Sequence, residues 1–520
     1  MMRARFGWLL LTVALLLVVA GGNTSRYAVT APHPTPHIHG RPHSGVPPVQ
    51  SRPSKTASRP LRGTSAWRLT NPAMAHEIEG YAKVLGAGAS GRLQLMVSTS
   101  ARRFRAYAYR IGGYRGGDGR EVWSSRSVRG HQQRPPEVIG TPQALVARWS
   151  SSLSVSTRAW SPGFYLVKLV AASGYEAQVP VTLPSPSTRG RVTLVAPTMT
   201  WQAYNTWDGH NLYGGATGAR RAHAVSFDRP YEAPGAGQFL YNVLGTVVLG
   251  ERLGVPLAYV SDVDVATRPR LLEGATGYVS LGHDEYWTVP ERRYVTKARD
   301  SGTNLAFLSS NSVYWRVRLE ASESGPNRVV VGYRHDASTS DPDRLSNPAQ
   351  TTSRWRDWPH PEPENSLTGT FYECFPVDEP YRVATPHWWG FRGTGVHAGT
   401  EFPHLVAEEA DRVYPVPSTP RPLQILSNLD YRCLGVPTST QSTYYTTSSG
   451  AGVIDFGTQR WSCATQPVCG PLTRETTTFV RKVTSNVLRA FARGPVGRSH
   501  PAHDNVAHFP LSTYHQTPTG

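Results

Sequence analysis

Residues 277–310, "GYVSLGHDEYWTVPERRYVTKARDSGTNLAFLSS", read as strand, polar loop, helix and strand, and that order decides the fold class. "GYVSL" and the "LAFL" of "NLAFLSS" are mainly apolar instead of alternating, as expected of strands covered on both faces. Between them Thr288 and Glu291 have capping-box spacing, Pro290 stands in the first helical turn, and Gly302 supplies the stop. Two strands joined through a helix of this length make a parallel βαβ unit.

The same grammar extends upstream. "VTLVAP" (192–197) is a compact strand, "GQFLYNVLGTVVLGERLG" places Leu240, Val243, Leu244, Val247 and Val248 on one helical face before Gly254, and "PLAYV" is the next strand, followed by a short helix around "RPRLLEG". The expectation is an α/β fold with a flavodoxin-like or amidotransferase-like parallel-sheet core over 189–492. From about 318 the chain turns Pro- and Trp-rich, read as insertions and a closing β layer before the helix "ETTTFVRKVTSNVLRAFAR". Residues 67–188 differ: short alternating strands such as "GRLQLMVST", "RFRAYAYRIG" and "PGFYLVKLVAA", separated by Gly and Pro turns, predict an immunoglobulin-like β-sandwich.

The ends carry other signals. Arg3 and Arg5 precede an apolar stretch from Phe6 to Ala20, which reads as a signal peptide over 1–22, with an uncleaved membrane anchor as the alternative. Residues 23–66 are a Pro/His/Arg-rich linker, in which His33, His37, His39 and His43 could bind a metal weakly, and 493–520 read as a tail. Four cysteines, Cys374, Cys433, Cys463 and Cys469, fit an exported protein with up to two disulfides in any of three pairings. The expected location is secreted or cell-surface. The chain's formal net charge of +18 is spread thinly, with no acidic residue before Glu77 and no dense basic run or nucleic-acid-binding module. A nucleic-acid partner is therefore not expected, whereas association with an anionic cell surface is compatible with the charge.

In a doubly wound sheet, ligands bind beyond the carboxyl ends of the strands. Three loops converge there: "TMTWQAYNTWDGHNLY" (198–213), "GHDEYW" (282–287) and "NSVYWR" (311–316). His283 and Glu285, two apart, face the same way if the chain stays extended, and can be an acid/base pair, a metal ligand with its partner, or a loop anchor. A cysteine nucleophile is missing from "FLSSNSVYW" and G-x-S-x-G is absent, which leaves Ser310 beside His283 for a serine mechanism. Glutamate and tyrosine oxygens together form a hard donor set that favours ferric iron.

The ordered motifs "TWQAYNTWDGHNLYGG", "SFDRPY", "YVSDVDV", "GHDEYW", "LAFLSSNSVYWRVR", "LVAEEADRV" and "GAGVIDFGTQRW" resemble the N,N-dimethylformamidase large (beta) subunit-like family over roughly residues 190–490. The resemblance implies an amidotransferase-like core with one Fe(III) per chain, held by two tyrosines and a glutamate, hydrolysing a small amide or related C–N bond. Carried over by motif, Tyr204, Tyr213 and Glu285 are the implied metal ligands, and Tyr231 of "DRPY" rivals Tyr213. His283 and Asn311 are implied to position water and the amide carbonyl, and Glu409, with Glu408 as understudy, to act as general base. Trp201, Trp207, Trp287 and Trp315 are candidates for the pocket wall, while Asp284 and Tyr286 read as structural. The family's small partner subunit has no counterpart in this chain. The competing expectation is a non-catalytic envelope protein that binds a glycan or another surface ligand.

Overall fold

A computed structural model of the chain describes residues 61–85, 91–214 and 221–511. The expected signal peptide, the linker up to residue 60 with its four histidines, and the tail from 512 lie outside the described residues.

Strands Ile78–Leu85, Arg92–Thr99 and Leu153–Ser156 form one antiparallel sheet. Strands Glu176–Leu183, Gly163–Ala171, Arg103–Ile111 and Gly119–Ser124 run side by side in a second, also antiparallel. Alternate residues of each sheet meet in one core: Leu93, Leu95 and Val97 from the first, with Phe104, Ala106, Ala108, Tyr165, Val167 and Leu169 from the second. This is the period-2 burial that the sequence alternation anticipates.

The rest is built on a seven-stranded sheet in the order Leu257–Ser261, Val192–Ala196, Gly277–Ser280, Asn304–Phe307, Gly452–Asp455, Val436–Thr446 and Leu423–Cys433. The first five are parallel and the last two antiparallel. Leu194, Val279, Ala306 and Ile454 face helices Leu244–Arg252 and Arg474–Phe491, while Val195, Tyr278, Leu305 and Phe307 face helix Val289–Asp300. Burial on both faces is why these strands are apolar without alternation. Each fully buried Val, Leu or Phe contributes roughly 1.5–3 kcal/mol, so one charge placed in either layer would cost more than most single contacts return.

Local departures have local causes. The helix expected across 237–254 is two, Gly237–Asn242 and Leu244–Arg252, broken at Val243. Thr288 caps helix Val289–Asp300 by accepting from Glu291 N, but the Glu291 carboxyl does not return the bond; it is buried without a hydrogen-bond partner. The complete capping box is Ser261 with Asp264. Residues 493–511, read as tail, carry buried Val496, Ala502 and Val506, and Asn505 accepts from Ile425 N at 2.7 Å. Cysteines pair as Cys374–Cys433 and Cys463–Cys469. Among the described residues no helix is long and apolar enough to cross a membrane.

Candidate metal and active site

Helix α1, Thr198–Tyr204, follows the strand Val192–Ala196 and ends on the first candidate ligand. Its Thr200 hydroxyl accepts from the backbone N–H groups of Glu285 and Tyr286, at 3.1 and 3.2 Å. The loop after Asn304–Phe307 grips the other side: Val313 N donates to Asp284 O, and Tyr314 N and Trp315 N to Glu285 O, each at 2.9 Å. Gly282 opens the motif at φ +77°, and a Cβ there would lie 2.2 Å from Asn242 Oδ1. Asn311, Val313, Arg334 and Glu408 also adopt positive φ, at 52°, 61°, 58° and 68°. Left-handed backbone is costly for a β-branched residue, so strain gathers around this loop.

The result is a close group of oxygens. Tyr204 Oη and Tyr213 Oη each lie 2.7 Å from Glu285 Oε2, and the two phenols are 2.7 Å from one another. Tyr286 Oη donates to Tyr213 Oη at 2.8 Å. Glu285 and Tyr286 are buried, whereas Tyr213 is 40 % exposed, its ring edge open while its hydroxyl points inward to the carboxylate. Burial, reinforced by the Glu285 charge, holds all three phenols well above the ordinary tyrosine range. Burial likewise raises Glu285, opposed by His283.

His283 Nε2 lies 3.0 Å from Glu409 Oε2 and 3.6 Å from Glu285 Oε2. The approach to Glu409 is at ion-pair distance without hydrogen-bond alignment, because neither atom has a bonded partner. Catalytic pairs are often loosely aligned before substrate binds. Burial disfavours the imidazolium, but the carboxylates of Glu409 and Glu285 outweigh it and raise His283 to about 9.

The structure separates the remaining candidates. Glu408 turns to Tyr241, at 2.5 Å, and Arg460, leaving Glu409 on the imidazole. Tyr231 stands edge-on to Trp201, with ring centroids 6.3 Å apart. Asn311 donates its backbone N–H to Asp411 at 2.8 Å, and its side-chain Oδ1 is buried without a partner. Ser310 Oγ donates to Glu409 O at 2.9 Å, so its hydroxyl serves the backbone that carries Glu409. Of the four tryptophans, Trp287 sits in the core beneath the sheet and Trp207 bonds Glu79 of the sandwich.

Two residues escaped the sequence reading. Tyr286, read as structural, belongs to the phenol chain. Arg334 lies with its guanidinium 3.9 Å from the Tyr213 ring centroid and 4.7 Å from that of Trp315, and donates to Leu212 O at 2.6 Å. Burial works against its charge, but Tyr286, Tyr213 and Glu285 raise it above the ordinary arginine range. The signal was "YRHD" at 333–336, a charged cluster shortly after the three valines that end the strand Gly325–Val331.

Among the described residues no group of three or more His, Cys, Asp or Glu side chains is placed to share a cation. A metal here depends on the phenols. An octahedral cation with metal–oxygen bonds of about 2.0 Å has edges of about 2.8 Å, so oxygens spaced at 2.7 Å fit three corners of such a shell. A family profile described as N,N-dimethylformamidase beta subunit-like, C-terminal, matches residues 105–471. No curated protein matches the chain.

Proposed function

Because the chain belongs to the N,N-dimethylformamidase beta subunit-like family, a family of hydrolase character, we propose that it is an exported hydrolase using one ferric ion to cleave a small amide or related C–N bond. The observation that carries this reading is the Tyr204, Tyr213 and Glu285 oxygen triangle with 2.7 Å sides. Hard anionic oxygens suit a highly charged cation. The parallel strand order, in which the second strand in sequence precedes the first and the third, fourth and fifth follow, supports an amidotransferase-like, flavodoxin-like core. The paired cysteines support an oxidising compartment.

Tyr204, Tyr213 and Glu285 would hold the ion, which when bound polarises a carbonyl and makes water more acidic. The remaining work falls to the protein. Glu409, with Oε2 3.0 Å from His283 Nε2, accepts the proton of the attacking water at that oxygen, and the imidazolium stands beside it as the second proton carrier. The new C–O bond forms as the carbonyl π pair moves onto oxygen; that pair then re-forms the carbonyl as the C–N bond breaks and the leaving nitrogen takes the proton back from the His283–Glu409 pair. Asn311, with a buried unpaired Oδ1, orients the substrate amide N–H or the water.

The test is metal analysis of protein exported by its native route from iron-replete cells, alongside Glu285→Gln. The expected result is about one iron per chain with a visible tyrosinate charge-transfer band, and loss of both in the variant. Colourless wild-type protein without iron would end this reading.

A further inference from the structure

An open groove of about 910 Å³ lies at one end of the sandwich, beside the end of helix Leu244–Arg252, and none of the side chains gathered around Glu285 lines it. Arg120, Trp123, Arg158 and Trp160 border it from the sandwich.

Strand register sets its floor. Arg110 stands opposite Tyr165 on one neighbouring strand and Arg120 on the other, so the three share a face. Arg110 is fully engaged: Nη1 pairs with Glu251 at 2.8 Å and donates to Tyr114 Oη at 3.0 Å, and Nε and Nη2 donate to Pro162 O. The guanidinium groups of Arg120 and Arg158 are exposed and have neither a carboxylate nor a hydrogen-bond partner among the described residues. Like charges directly across a sheet destabilise it, so the fold gains nothing from a second arginine opposite Arg110. Glu121 also borders the groove, but it lies opposite Tyr109, where strand alternation turns its side chain to the other face. Two half-buried indoles complete the wall: Trp160 is fixed by stacking on Tyr165, with ring centroids 5.1 Å apart, and Trp123 packs on the edge of the sandwich core.

We propose that this groove is a binding site for an acidic oligosaccharide, with pyranose rings against Trp123 and Trp160 and carboxylates on Arg120 and Arg158. A pyranose presents C–H groups on a face and hydroxyls around its edge, which matches indoles flanked by guanidinium donors and the exposed hydroxyls of Ser156 and Ser161. A guanidinium holds a carboxylate through two parallel N–H bonds. Nucleic-acid affinity comes from neutralising many phosphates, and only two guanidinium groups in this wall are free. The site gives the sandwich a tethering role toward an acidic polysaccharide surface, whatever the chemistry at Glu285.

The probe is tetragalacturonate, titrated calorimetrically into the full chain, with its methyl ester as the uncharged control and an oligothymidylate of equal length as the nucleic-acid control. Binding should saturate at one equivalent, weaken as salt rises, and be roughly tenfold weaker for the ester. Replacing both free arginines, Arg120→Ser with Arg158→Ser, should remove the preference for the acid while leaving thermal unfolding unchanged, since neither side chain holds the fold. Trp123→Ala should weaken acid and ester alike, roughly three- to tenfold. No saturable binding of tetragalacturonate, equal affinity for the ester, tighter binding of the oligothymidylate, or binding that none of these substitutions alters would each overturn the proposal. These outcomes are independent of whether Glu285 binds iron.

Discussion

Arg334→Met should leave the metal-free fold nearly as stable as the wild type and tighten ferric binding. The guanidinium lies 3.9 Å from the Tyr213 ring centroid, which puts it about 5 Å from the phenolic oxygen, and at an effective dielectric near 20 a unit charge pair at that separation is worth about 3 kcal/mol. The ion's own charge counts with that of the phenolates: two phenols and the Glu285 carboxylate carry −1, whereas two phenolates and that carboxylate around Fe(III) carry 0, so loading makes the site more positive and the guanidinium opposes it. In the metal-free state the loss of two ring contacts, about 2 kcal/mol when desolvated, and of the bond to Leu212 O is offset by no longer burying a charge. The affinity for Fe(III) should then rise, by up to about a hundredfold. A competition titration against citrate, read at the visible tyrosinate band, measures it, with urea unfolding of the metal-free proteins alongside. Arg334→Lys keeps the charge but not the planar stacking, and should fall between. If Arg334→Met binds iron within threefold of wild type, the cation over Tyr213 has no electrostatic role in the site.

Other predictions concern the frame around the site. Gly282→Ala adds a Cβ at φ +77°, 2.2 Å from Asn242 Oδ1, and should destabilise by about 2 kcal/mol or more in chemical denaturation; a change below 0.5 kcal/mol would mean the turn is not constrained. Burial alone would raise Glu176, but Lys168, at 2.9 Å, and the N–H groups of Thr70 and Asn71 hold it below the ordinary value of 4.5. With the folded value the lower one, its stabilisation is present above pH 4.5 and lost as pH falls below it; Glu176→Gln should flatten that acid limb of stability against pH. Breaking Cys374–Cys433, 59 residues apart, by double Ser substitution should cost about 4 kcal/mol, against about 2 for Cys463–Cys469, six apart. Equal losses in thermal unfolding would mean that loop entropy is not what these bonds supply.

Much was legible because it is periodic or local. Mainly apolar runs at 192–196, 277–281 and 304–308 mark strands buried on both faces, and alternation in 92–99 and 103–111 marks strands buried on one, whatever they pack against. Caps are local too, which is why Thr288 and Gly302 bound their helix as the spacing predicts. The carboxyl-edge rule then places three polar loops together before any distance is known.

What only the tertiary structure decides depends on direction and long-range approach. Tyr213 and Tyr231 are equally plausible phenols in the sequence, but the turn at Asp208 and Gly209 sends Tyr213 back to Glu285 while Tyr231 packs on Trp201. Glu408 and Glu409 are neighbours on a bulged strand, and the backbone at φ 68° turns one to Tyr241 and the other to His283. Arg334 arrives from about 120 residues away. The same limit applies to the cysteine pairing. By itself the sequence determines which elements form and which edge carries chemistry, because propensity, capping and burial period act within a few residues. The fold alone decides which side chains meet, because a shared hydrogen bond or coordination shell requires placement to within an ångström, set by the packing of elements far apart in the chain.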